Sequence, residues 1–128
     1  MLFMRVMVFT LAAVFTVYSC AALDRAVESP VVDGGTVQFQ YYDPSARTVQ
    51  VGGDWPGNNW LAGDEGKGEV LIGLMHMEKG VWSLKIKLKP GRYRYRFYIN
   101  ERTWVLDPSN PRIVDDGMGG KANLLIVP

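Results

Sequence analysis

The chain of 128 residues has one cysteine and one histidine. A single cysteine closes no internal disulfide. A single histidine, His76, set among apolar residues in "LMHME", reads as a strand-edge side chain and not as a catalytic or metal-binding group. No nucleophile has a base beside it, so Ser-His and Cys-His chemistry are not supported. Excess charge is also missing. The formal net charge is +1, which argues against a nucleic-acid partner. Helix-period patterning is absent beyond the first twenty residues, and no fixed-period repeat is present. Asp115 and Asp116 in "VDDGMGG" lack the ligand spacing of an EF-hand loop and read as a solvated turn with side-chain caps. A carboxylate pair also serves glycoside hydrolysis, but so short a chain builds no long active-site cleft. These absences point to a binding module without a cofactor or metal, not to an enzyme.

What is present falls into three parts. Residues 6–18 are almost continuously apolar and follow Arg5, the only charge before them. That is a signal-peptide pattern, too short for a membrane span and with no stop-transfer sequence after it. The lone Cys20 closes it in "VYSC", which resembles a bacterial lipobox and implies lipidation of Cys20 and export to the cell envelope. The alternative is ordinary cleavage after a small residue such as Ala22, giving an unanchored periplasmic or secreted protein. Residues 1–20 are thus read as signal, 21–30 as a linker and 31–128 as one domain of ordinary small size. Removing Arg5 with the signal leaves 13 basic and 13 acidic side chains.

The domain reads as all-β. "TVQFQYY" alternates, with Val37, Phe39 and Tyr41 on one face. "TVQVGG" is a second strand, and "VLIGLMHM" is expected as a bent one. In "VWSLKIKLKPGRYRYRFYI", Trp82, Leu84, Ile86 and Leu88 share one parity. After "KPGR", Tyr93, Tyr95, Phe97 and Ile99 share the apolar face, with Arg92, Arg94 and Arg96 opposite. The pattern predicts a β-hairpin with one apolar and one basic face. "TWVL" and "ANLLIV" supply further strands, and "DPSNPR" is expected as a rigid connection. Many short strands with frequent turn signals predict a two-sheet, immunoglobulin-like sandwich of about seven strands.

Two tryptophans, Trp55 and Trp60, stand in the polar turn "GDWPGNNW". Tryptophan offers sugar rings a large flat face at small entropy cost. Trp60 and Trp104 lie in loops or at strand ends where they can be presented, although each can also anchor its segment in the core. Lys85, Lys87, Arg92 and Arg94 are expected to share a basic face with Lys89 and Arg96. That face is either solvated or turned toward an anionic partner such as a lipid surface, an acidic protein or a charged polymer.

Read in order, "VGGDWPGNNW", the "PGRYRYRFYI" hairpin followed by a Trp, "LDPSNPRIVDDGMGG" and "ANLLIV" resemble the glycogen-binding domain of AMP-activated protein kinase β subunits and its bacterial relatives. These form carbohydrate-binding module family 48, of the early-set sandwiches. The resemblance covers about residues 35–127. It implies non-catalytic binding of α-glucans, with aromatic rings stacked on sugar faces. It assigns ligand contact to Trp60, Arg96 and Trp104, with Met118 and Asn123 in support. Trp55 takes the place of an inward phenylalanine, and Pro56 with Gly57 is a local insertion. Where the family has Thr and Asn, this chain has Gly120 and Ala122, so two hydrogen-bonding side chains are missing. An interaction module for a protein or anionic polymer, on the same sandwich with a degenerate sugar site, is the competing expectation.

Overall fold

The computed structural model describes residues 27–63 and 71–128. The expected signal segment, Cys20 and most of the linker lie outside the described residues. Among the described residues there are nine strands and no helix, and accordingly no helix long and apolar enough to cross a membrane.

The strands form two antiparallel sheets. The first has the order β1 (Val31–Asp33), β2 (Thr36–Tyr42), β5 (Val81–Lys87), β4 (His76–Glu78). The second has the order β3 (Val49–Gly53), β6 (Gly91–Ile99), β9 (Lys121–Val127), β8 (Ile113–Asp115), with β7 (Thr103–Val105) also paired to β6. The alternation read from the sequence places the core correctly. Val37 and Phe39 from one sheet meet Val51, Tyr95, Phe97 and Leu125 from the other, and Trp55 and Trp82 join the same apolar cluster. Phe39 lies at its centre, in contact with Tyr95 at 4.8 Å and stacked on Trp55 at 5.8 Å between ring centroids. This is the two-sheet, immunoglobulin-like sandwich that the pattern predicts, of the early-set kind that the resemblance implies, with nine strands where about seven are expected.

The hairpin expectation is corrected. β5 and β6 belong to different sheets, and "KPGR" is an arch that carries the chain across the sandwich. Both strands turn their apolar parity inward, so they face each other through the core. Period-two alternation is the same for a hairpin and for an arch, and so cannot separate them. The single basic face is corrected with it. Lys85 and Lys87 are exposed on the outside of the first sheet. Arg92, Arg94 and Arg96 lie on the outside of the second.

Three smaller departures follow from short or irregular pairing. "VLIGLMHM" is mostly irregular: Gln50 bridges to Leu74, Met75 is buried, and pairing in a strand begins only at His76. His76 is exposed on the edge strand β4, as read. The connection after "TWVL" contains β8, only three residues long, too short for a periodic signal. β1 is likewise a three-residue strand, added to the edge of β2.

Candidate functional site

The outer face of the second sheet near Trp60 is built by the two glycines that end β3. A Cβ on Gly52 would stand 2.5 Å from Cη2 of Trp104, and a Cβ on Gly53 would overlap the ring of Trp55. The first glycine thus leaves room on the outside for Trp104, and the second leaves room on the inside for Trp55. Trp55 is buried against Phe39, the inward anchor the sequence predicts.

The chain then reverses through Pro56 and Gly57. Gly57 has φ 85°, and the Asn58 N–H donates to the Trp55 carbonyl at 3.1 Å. These are the features of a type II turn, which takes Pro at its second position and a positive-φ residue at its third. The inserted pair is therefore a self-contained turn. It delivers Asn58 into the interior, where only 3% of the residue is exposed. Asn58 Oδ1 accepts from the N–H groups of Gly53 (2.8 Å) and Leu61 (3.1 Å), and its Nδ2 donates to the Val51 carbonyl (2.9 Å). With these bonds in place, Asn59, Trp60 and Leu61 all adopt positive φ, at 44°, 55° and 71°. Left-handed backbone costs a non-glycine residue about 1–2 kcal/mol. It persists where surrounding bonds over-determine it, which is common at ligand clamps. The result is that Trp60 turns back over β3, with its N–H donating to the Gly53 carbonyl at 2.8 Å.

Three of the residues expected at a ligand site meet here. Trp60 and Trp104 stand edge to face, 6.1 Å apart at 76°. The Arg96 guanidinium carbon lies 5.3 Å from each ring centroid, within cation–π range of both. The rings are neither coplanar nor turned apart; they make a half-buried corner. Tyr98 extends it, 4.6 Å from Trp104 and tilted by 33°. Its parity with Arg96 on β6 was legible in the sequence, but its pairing opposite Trp104 was not.

Arg96 is held from the other side by Asp116, Nη2 to Oδ2 at 3.5 Å. Asp116 Oδ1 also accepts from the N–H groups of Met118 (2.7 Å) and Gly120 (3.0 Å). Those two backbone bonds, followed by the charges of Arg96 and Arg94, hold the Asp116 carboxyl below the usual carboxylate range. The "VDDG" turn is thus self-capped as read, but it is not solvated at Asp116, which is buried and links the β8–β9 loop to Arg96, a role that sequence reasoning missed. Gly120 now has a physical reason. A Cβ there would stand 2.7 Å from Asp116 Oδ2, so the folded-back carboxylate takes the space of a side chain. Arg96 Nε is buried with no hydrogen-bond partner among the described residues.

The remaining expected residues divide. Met118 is 70% exposed on the loop that Asp116 secures, available for contact. Asn123 is corrected. It is 0% exposed, and its side chain accepts from the Asp107 N–H (2.7 Å) and donates to the Asn110 carbonyl (3.0 Å). Its odd position on β9 points it into the sandwich, where it braces the "DPSN" turn. Ala122, on the outward parity, is also fully buried.

Two cations on this outer face are matched locally. Arg94 pairs with Asp54 at 2.9 Å and Arg96 with Asp116, while Lys121 and Asp115 pair at 2.6 Å on the opposite parity. Among the described residues no group of three or more His, Cys, Asp or Glu side chains is placed to hold a metal ion.

An early-set sandwich presenting an aromatic corner with a basic side chain in its angle has the architecture of a carbohydrate-binding module. The chain belongs to the family described as the glycogen recognition site of AMP-activated protein kinase, whose model matches residues 36–128. Among solved structures, a maltogenic amylase from S. marinus is similar over 77% of this chain, with a TM-score of 0.53 and 19% sequence identity. The match spans only 15% of the amylase chain, and at that identity it shows the shared fold. No curated protein sequence matches.

Proposed function

We propose that this domain is a non-catalytic α-glucan-binding module whose site is the corner of Trp60, Trp104 and Arg96, with Tyr98 and Met118 at its margins. The observation that carries the proposal is the convergence of two indole rings and one guanidinium on a single outer face. A flat C–H face of a pyranose stacks on one ring while its hydroxyls accept from Arg96. Charge matching at Arg94 and Arg96 suits a neutral ligand at the corner better than an anionic polymer, because both of these cations are already paired. The family supports carbohydrate binding in general; glycogen or starch-type oligosaccharides are the finer reading. Stacking and a few hydrogen bonds give affinities on the order of mM to μM. Titration with maltoheptaose or β-cyclodextrin should quench or shift tryptophan fluorescence, and Trp60→Ala should abolish the change. No response at millimolar sugar, or unaltered binding by Trp60→Ala, would overturn the proposal.

One observation favours a second reading. With Gly120 and the buried Ala122, the loop offers no side-chain hydrogen bond where the family has two. An interaction module for a protein partner, built on the same corner, accounts for that loss. A Trp60 face that captures protein but no glycan would support it.

Export and lipid anchoring at Cys20 complete the proposal and rest on the sequence of residues 1–20. Labelled-palmitate incorporation by the full chain, lost in Cys20→Ala, tests the anchor.

A further inference from the structure

We infer that Asp116 is a positioning and specificity-determining residue of the Trp60 corner. Its two oxygens hold the Met118 loop and Arg96 in place, and its charge restricts the corner to uncharged sugars. This rests on the reading of that corner as an α-glucan site.

The Asp116 side chain is only 4% exposed, and its two oxygens have separate tasks. Oδ1 accepts from the N–H groups of Met118 (2.7 Å) and Gly120 (3.0 Å), while the Asp116 N–H donates to the Gly120 carbonyl at 3.0 Å. The loop is thereby closed on its own first residue. Gly117 and Gly119, at φ 80° and 89°, flank the exposed Met118 in the left-handed conformation that glycine adopts without steric cost. Oδ2 takes no part in those bonds and lies 3.5 Å from Arg96 Nη2.

That separation is an ion pair, longer than an N–H···O hydrogen bond. The carboxylate therefore balances the Arg96 charge without consuming its donors. Trp60 and Trp104 each stand 5.3 Å from the guanidinium carbon, so two rings and one carboxylate set its position. Arg94, about 7 Å along the strand, is itself paired with Asp54 at 2.9 Å. A sugar hydroxyl can accept from Arg96 with Asp116 in place. A sulfate or carboxylate at Arg96 would instead stand beside a buried like charge, where neither water nor salt screens the repulsion well. Asp116 is thus an element that penalises the wrong ligand, one of the two routes to specificity.

The experiment titrates the full chain with maltoheptaose and with sulfated maltoheptaose at one low ionic strength. The proteins are wild type, Asp116→Asn, Asp116→Ala and Asp115→Asn. Asp116→Asn keeps an oxygen for the Met118 and Gly120 N–H groups and removes the charge. It should raise the affinity for the sulfated sugar relative to maltoheptaose by about tenfold, since a like charge at an interface is costly. Asp116→Ala also releases the loop, and should lower maltoheptaose affinity by about threefold to tenfold, the effect of one or two lost hydrogen bonds. Asp115→Asn makes the same change in net charge at a side chain 81% exposed and paired with Lys121, and should leave the ratio of affinities unchanged. If the alanine variant fails to fold, Asp116→Asn carries the test. An unaltered ratio in Asp116→Asn, or an equal shift in Asp115→Asn, would overturn the specificity role and leave the corner standing. Full maltoheptaose affinity in Asp116→Ala would overturn the positioning role. A wild type that prefers the sulfated sugar would also overturn the inference, and one that binds neither sugar overturns the corner with it.

Discussion

The ring of Trp104 lies on the outer surface of β3 in the space a side chain at Gly52 would fill. Gly52→Ala should therefore act as a remote mutation of Trp104. Its new methyl group meets Cη2 and Cζ3 of the ring at 2.5 and 2.6 Å, and Leu61 at 3.2 Å. The ring must shift, at a cost of about 1–3 kcal/mol for overpacking. The expected outcome is a fold that persists, with a changed near-ultraviolet circular dichroism spectrum and a loss of glucan affinity close to that of Trp104→Ala.

Asn58→Ala should be among the most damaging single changes in the loop. It strands the Gly53 and Leu61 N–H groups and the Val51 carbonyl, which Asn58 satisfies in the interior. An unsatisfied buried group costs about 1–3 kcal/mol, and the left-handed turn at residues 59–61 loses the bond that over-determines it. Urea denaturation should show a lower midpoint, and Trp60 fluorescence should approach that of a solvent-exposed indole before global unfolding.

The two tryptophans of this loop should separate stability from binding. Trp55→Ala opens a cavity beside Phe39 and should cost about 3–5 kcal/mol. Trp60→Ala removes a half-buried ring from the surface corner and should leave the midpoint nearly unchanged while abolishing the sugar response. Equal destabilisation by both would show that Trp60 is an anchor.

Two aspartates should give opposite pH signatures. Burial pushes the Asp107 carboxyl above its ordinary value of 3.8, only partly offset by hydrogen bonds from Ser29, Tyr95 and the Ser109 N–H. Its contribution is greatest below 3.8 and is lost as pH rises through the raised folded value. Asp116 is held below 3.8, so its contribution is present above that value and lost as pH falls through the depressed one. The stability difference between wild type and Asp116→Asn should therefore vanish in strong acid. That between wild type and Asp107→Asn should grow more favourable to wild type as pH drops below the raised value. Denaturant midpoints measured from pH 2.5 to 7 check both signs.

The core and the sandwich were legible because alternation states which side chains share a face. Phe39, Trp82, Tyr95 and Phe97 all lie where parity places them. The partner of each strand was not legible. Nothing in "KPGR" distinguishes a turn within one sheet from an arch between two, and the division of the cations followed from that choice. The convergence of Trp60, Arg96 and Trp104 on one face is what the ordered resemblance of their segments implies. Asn123 was misplaced because its amide suggests a ligand contact, whereas its odd position on β9 points it inward. The brace that Asn58 makes with backbone groups and the space that Gly52 leaves for Trp104 leave no pattern in residue type.

The arch between β5 and β6 has a kinetic consequence. The pairings between strands close in sequence, β1 with β2, β4 with β5, β6 with β7 and β8 with β9, each involve three-residue strands. The long pairings join Phe39 to Leu84 and Val51 to Phe97 across more than forty residues of chain, and Tyr95 to Asn123 across twenty-eight. No extended hairpin forms early to nucleate the sheets. The chain must close large loops before its main contacts reward it, which places folding in the millisecond-to-second range of non-local β topologies.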